Sequence, residues 1–169
     1  STKRSVELIR FAKSQGIKVT AEACPHHFSL TDEAAKFYDT NTKVNPPLRT
    51  KEDVEAIKEG LKDGTIACIS TDHAPHTMEE KELEYDHAPF GMIGFETAFG
   101  LAMQELVEKK ILTLPKLVEK MSAMPACILG LDKKGIIKEG KDADLVMVDL
   151  DKEWTFNKEN IASKSKNSP

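Results

Sequence analysis

The chain has 169 residues, 40% hydrophobic and 31% charged, with a net charge of −4, which is enough apolar material for one domain with a real core. A mildly acidic chain (pI near 5.8, mean hydropathy −0.40) with no basic block is a poor binder of nucleic acid or anionic membrane. No apolar run approaches the roughly 18 residues of a membrane span, no signal peptide is visible, and three cysteines without paired spacing (Cys24, Cys68, Cys127) fit a reducing cytoplasm.

In chain order, Val6, Leu8, Ile9 and Ala12 form the apolar stripe of a first helix, which Gly16 stops. Ile17 to Glu22 reads as a short strand rich in β-branched residues, broken at Cys24-Pro25-His26-His27. Pro46-Pro47 excludes a helix from the loop around 38–49. Thr50 then caps a helix near 51–62, with Val54, Ile57 and Leu61 on one face and Gly64 at its end. The run Thr65 to Thr71 is almost wholly apolar or small, the pattern of a parallel strand covered on both faces. Residues 72–94 form a long loop, and loops of that length in compact domains are usually functional or disordered. Helices are expected near 95–110 and 114–124, with a short third from Pro125 to Gly130. Strands follow at Gly135–Ile137, Ala143–Asp149 and Trp154–Phe156. The alternation is α/β with parallel strands and right-handed crossovers. Strands 17–22 and 65–70 are expected to be adjacent and parallel, with the 51–62 helix crossing between them.

The strongest local signal is Thr71-Asp72-His73-Ala74-Pro75-His76, directly after the buried strand. Catalytic groups cluster at that end of α/β barrels and sheets. Asp72 can bind a metal, carry a proton, or do both, and His76 can reach back to the same pocket. Spacing alone equally allows Asp72 to cap a turn with both histidines solvated. Asn45-Pro46-Pro47-Leu48-Arg49 could hold an amide at a fixed angle for a planar polar substrate, or be an ordinary turn. Cys24-x-His26-His27 matches no standard zinc spacing, which favours a structural strand-end role. Gly91, after Pro89-Phe90, would let backbone approach a ligand, or act as a plain hinge. Tyr85, Asp86 and His87 read as exposed, and Glu79 to Glu82 as a solvated run.

Taken together and in order, Ser1-Thr2-Lys3, Thr20-Ala21-Glu22, Pro25-His26-His27, Asn45-Pro46-Pro47-Leu48-Arg49, Asp63-Gly64-Thr65-Ile66, Thr71 to His76 and Ala88-Pro89-Phe90-Gly91 resemble the dihydroorotases of the amidohydrolase superfamily. The bacterial zinc type is the best match. Gly140 to Val146 resembles the β extension that follows the barrel in that superfamily. The resemblance implies the C-terminal part of a TIM-like (β/α)8 metal-dependent hydrolase barrel, about two βα units over residues 1–130, then a small β extension over 131–169. Both ends look cut, and a complete barrel needs about 200 residues or more. The metal-binding motifs of the earlier strands are therefore expected upstream.

The resemblance further implies reversible, zinc-dependent cyclisation of N-carbamoyl-L-aspartate to L-dihydroorotate in pyrimidine biosynthesis. Asp72 matches the aspartate that binds zinc and shuttles the proton. Asn45, His76, Phe90 and Gly91 match positions that hold the substrate. Asn45, Asp72, His76 and Gly91 are expected to converge on one pocket at the C-terminal ends of the strands. Catalytic zinc takes about three protein ligands, so this chain alone is expected to be inactive. The alternatives are a hydantoinase- or allantoinase-type amidohydrolase, and a non-catalytic scaffold subunit for aspartate transcarbamoylase. A homo-oligomer is also compatible with the family.

Overall fold

The computed structural model describes residues 1–169. Helix α1 (Lys3–Ser14) starts at Thr2, whose hydroxyl accepts the Ser5 N–H, and ends before Gly16. Strand β1 (Glu22–Ala23) leads into the short helix α2 (Pro25–Ser29), with Pro25 in the first helical position, where the missing N–H removes no hydrogen bond. Helix α3 (Lys51–Asp63) is capped by Thr50, which accepts from the Asp53 N–H and donates to the Asp53 carboxylate at 2.8 Å. Gly64 ends α3 at φ +83°, the left-handed conformation that closes helices. Strand β2 (Cys68–Ile69) follows.

β1 and β2 pair in parallel, Glu22 opposite Cys68 and Ala23 opposite Ile69, with α3 as the crossover. The expected adjacency holds, but the ladder starts later than the β-branched run. Residues 17–20 have no strand beside them, and Ile17 is exposed. A strand pattern becomes a strand only where a partner backbone is available.

One core lies under this pair. It gathers Val6 from α1, Phe28 from α2, Ile57 and Leu61 from α3, Ile66 and Ile69 around β2, and Ala102, Leu106, Leu112 and Leu117 from the later helices. Burying each large side chain is worth about 1.5–3 kcal/mol. Only Val6 of the predicted α1 stripe is fully buried, and Leu8 is exposed. Gly60 lets α1 close on α3, since a Cβ there would sit 3.0 Å from the Val6 side chain.

Helix α4 (Met78–Lys81) opens with a complete capping box between Thr77 and Glu80. Helix α5 (Ala98–Ala102) continues as a π-helical stretch, Met103–Glu108. Helix α6 (Leu114–Val118) continues as a second, Glu119–Ala123, before α7 (Met124–Ile128). Lysines staple these layers. Lys58 of α3 meets Glu105 at 2.8 Å, and the Lys120 ammonium donates to the Ile66 carbonyl at 2.8 Å.

The strands expected at 135–137, 143–149 and 154–156 are not formed. The apolar pattern is present, but no backbone in the chain pairs with it. Ile137, Val146 and Met147 are left 88%, 87% and 99% exposed. From Ile161 the chain is buried again, against the loop after β2.

Candidate functional site

The site is built at the C-terminal ends of β1 and β2. Asp72 follows β2 with φ +49°, and this left-handed residue turns the chain sharply out of the strand. Its carboxylate is exposed and its charge bears on Cys24 and His27, the residues that follow β1. His27 donates through Nε2 to the Pro46 carbonyl at 2.8 Å. That bond fastens the Asn45-Pro46-Pro47 turn, whose Asn45–Pro46 peptide is cis, to the same end of the sheet as Asp72. Asn45 itself is exposed.

The second half of the site is the long loop folded back on itself. His73 and Met92 form a parallel bridge, and the Ala74 N–H donates to the Met92 carbonyl at 2.8 Å. The His73 Nδ1 accepts the Gly94 N–H at 3.0 Å and its ring stacks on Phe95 at 3.8 Å, so His73 fixes the loop. His76 donates through Nε2 to the Phe90 carbonyl at 2.9 Å, and its Nδ1 lies 3.4 Å from Glu80. Gly91 has φ +141°, and a Cβ there would be 2.6 Å from the Ala74 side chain, so only glycine fits. His76, Phe90 and Gly91 thus form one contact cluster, while Asn45 and Asp72 share the neighbouring strand-end face through His27.

Two lysines that sequence reasoning missed hold this loop. Lys43 donates to the carbonyls of Tyr85 (2.6 Å), Asp86 (3.2 Å) and Ala88 (2.6 Å), and its ammonium lies 4.6 Å from the Phe90 ring centroid. Lys81 donates to the carbonyls of Thr40 (3.1 Å) and Pro89 (2.8 Å). The expectation of a solvated 79–82 run fails at Lys81, which is buried. Its amphipathic stem allows a solvent-facing sequence pattern and a buried head at once. Tyr85, expected to be exposed, is half-buried beside Lys43. The only available signal was the density of turn-forming residues from 84 to 94, whose carbonyls need donors.

Cys24, His26 and His27 bring three potential ligand atoms within 4.8 Å. Burial pushes the Cys24 thiol up to about 12 and, with the neighbouring His27, pushes His26 down to about 3. Burial also lowers His27, against the opposing Pro46 bond. Burial thus favours the neutral form of all three. The His26 Nε2 is buried without a hydrogen-bond partner. The Asp72 carboxylate makes no hydrogen bond or ion pair with the chain and stands open at the strand end, so its chemistry fits an oxygen ligand for a metal.

A model of the amidohydrolase family matches residues 4–168. The chain belongs to the amidohydrolase family. Amidohydrolases similar to it include the dihydroorotases of Endomicrobium trichonymphae, 59% identical over all 169 residues, and of Elusimicrobium minutum, 57% identical over the same span. The chain spans 40% and 39% of their lengths. Among solved structures, the L-hydantoinase (dihydropyrimidinase) of Arthrobacter aurescens matches 99% of the chain with a TM-score of 0.92 at 34% identity, over 38% of its own length. The dihydropyrimidinase of Brevibacillus agri matches 85% of the chain with a TM-score of 0.79 at 27% identity, over 33% of its length. The fold is thus a portion of an amidohydrolase TIM barrel, and the first superposition includes the strand-free run after Gly130. Members of this family are typically metal-dependent, and no helix of this chain is long and apolar enough to cross a membrane.

Proposed function

We propose that the chain is the part of a cytoplasmic dihydroorotase that supplies Asp72 and the substrate turn. The enzyme would close N-carbamoyl-L-aspartate to L-dihydroorotate with loss of water, reversibly, in pyrimidine biosynthesis. The observation that carries this reading is the 59% identity to a dihydroorotase along the whole chain, against 34% to the hydantoinase structure. Three free cysteines support the compartment. We assign residues 1–130 to the barrel and 131–169 to the β extension.

Zinc, when bound, acidifies water and polarises the ring carbonyl. Asp72 would supply one of its ligands. In the hydrolytic direction Asp72 takes a proton from the attacking water and returns it to the ring nitrogen as the C–N bond breaks. A carboxylate suits this because its second oxygen stays free as a base. The exposed Asn45 amide offers both a donor and an acceptor to the ring and its carboxylate. The Phe90 and Gly91 carbonyls are each held by a side chain, and each keeps a second lone pair for a ring N–H. His76 orients the Phe90 carbonyl. With one zinc ligand of its own, the 169-residue chain would not turn over substrate alone.

A hydantoinase-type reaction is the second reading, favoured by the structural match. Steady-state kinetics on dihydroorotate, hydantoin and allantoin, with a protein of the relatives' length, separates the two. Faster turnover of hydantoin would overturn the dihydroorotase reading. In the same protein, Asp72→Asn should lower turnover by about 10²–10⁴-fold or more, because an amide cannot accept the proton. Retention of more than about a tenth of turnover, with metal content unchanged, would remove Asp72 from the proton path.

A further inference from the structure

Asn167 lies far along the chain from the site, yet it grips the backbone at Gly91. It is 5% exposed, and its Nδ2 donates to the Gly91 carbonyl at 2.8 Å and reaches the Asn41 carbonyl at 3.4 Å. Its Oδ1 accepts from the Ser165 hydroxyl at 2.6 Å, and Ser165 is 1% exposed. Its backbone carbonyl accepts the Ile93 N–H at 2.9 Å. These partners dictate the amide's orientation. A flip would turn Oδ1 onto two carbonyl oxygens.

A buried amide is destabilising unless its hydrogen bonds are made; here they are made, and an apolar residue would leave the Gly91 carbonyl and the Ser165 hydroxyl without that partner. What the amide adds is direction. The Gly91 N–H donates to the Lys43 carbonyl at 2.9 Å, the Phe90 carbonyl accepts from His76, and the Gly91 carbonyl accepts from Asn167. Two consecutive peptide planes are thereby held by three separate segments, at a glycine that leaves no side chain to lock them.

We propose that Asn167 is a positioning residue for substrate binding, setting the Phe90–Gly91–Met92 backbone that faces the cyclic amide. This role rests on the proposed function, which puts the cyclic amide at Phe90 and Gly91. The segment bearing Asn167 has other anchors. The N–H groups of Ala162 and Ser163 donate to the Glu96 carboxylate, and the Thr97 and Ser168 hydroxyls lie 2.8 Å apart. Removing the amide should therefore leave the segment docked.

The test uses a protein of the relatives' length carrying Asn167→Ala, Asn167→Asp or the milder Ser165→Ala. Kinetics on dihydroorotate are read with amide hydrogen exchange at Gly91. Asn167→Ala should raise KM about tenfold, matching ~1.4 kcal/mol, with kcat within about threefold, the pattern of lost binding rather than lost chemistry. Asn167→Asp should be at least as severe, because it sets an anion against two carbonyls, and Ser165→Ala should move KM the same way by less. Glu96→Gln, which loosens the segment elsewhere, should leave KM near wild type. Unchanged KM in both Asn167 variants would overturn the proposal. So would a rise of KM accompanied by an equal loss of kcat and of melting temperature and matched by Glu96→Gln, which would mark a merely structural residue. If the wild-type enzyme prefers hydantoin, the dihydroorotase reading fails, and the same comparison on hydantoin still decides the role of Asn167. If no cyclic amide is turned over, the proposal fails together with the proposed function, whatever Gly91 exchange shows.

Discussion

Residues 84–91 and 132–160 both lack strands and long helices, and they behave in opposite ways. In the first, the carbonyls of Tyr85, Asp86, Ala88, Pro89, Phe90 and Gly91 are each taken by a side chain from elsewhere. In the second, the residues with the best strand pattern point into solvent, Met147 at 99% exposure. Irregular backbone becomes a defined surface when donors are brought to it, whatever its own propensity. Propensity without a partner leaves a strand unmade. The contrast puts the rigid loop where the proposed chemistry is and leaves the apolar run uncovered.

The sharpest way to break this comparison is to remove a donor. Lys43→Met keeps the apolar stem but withdraws the ammonium from three carbonyls. It should destabilise the protein by about 2–3 kcal/mol and open residues 82–90 to proteolysis, as read by denaturant unfolding and limited digestion. A change below about 0.5 kcal/mol would mean that water replaces the lysine at no penalty.

A second, smaller effect comes from the one buried polar atom with no such help. Burial holds His26 at about 3 when folded, against an ordinary value of about 6.5 when unfolded. Between those values the unfolded chain binds the extra proton, so stability is present above about pH 6.5 and is lost as pH falls. From pH 7 to pH 5 the loss due to His26 should be about 2 kcal/mol. His26→Phe should flatten that slope in unfolding curves at the two pH values. An equal slope in the variant would assign the acid sensitivity elsewhere.

The smallest effect is expected in the uncovered run. Met147→Gln should change the stability of the 169-residue chain by no more than about 0.5 kcal/mol. In a protein of the relatives' length, a loss above about 1 kcal/mol would mean that the run is covered there, consistent with a β extension.

What the sequence could reveal follows the same division. The helix–strand–helix–strand order, the Thr50 cap, the Gly64 stop and the parallel pairing were legible, because each depends on neighbours within a few residues or on one continuous apolar pattern. The strand-end position of Asp72 was legible for the same reason. The grip of Lys43, Lys81 and Asn167 was not. A lysine that will be buried looks like one that will be solvated, and Asn167 meets Gly91 across 76 residues of chain. The strands after Gly130 misled because their pattern is real and their partner backbone is absent.

Lys43 and Lys81 also shape the electric field of the molecule. Both ammonium groups donate directly to neutral carbonyl dipoles; the Asp39 and Glu80 carboxylates act on Lys81, which leaves Lys43 as the less compensated charge. A chain of net charge −4 thus keeps a positive source beside the Phe90 ring. Low-dielectric walls carry such a potential outward, and salt screens it over about 8 Å under physiological conditions. An anion approaching the loop that bears Phe90 would meet attraction before it met any donor.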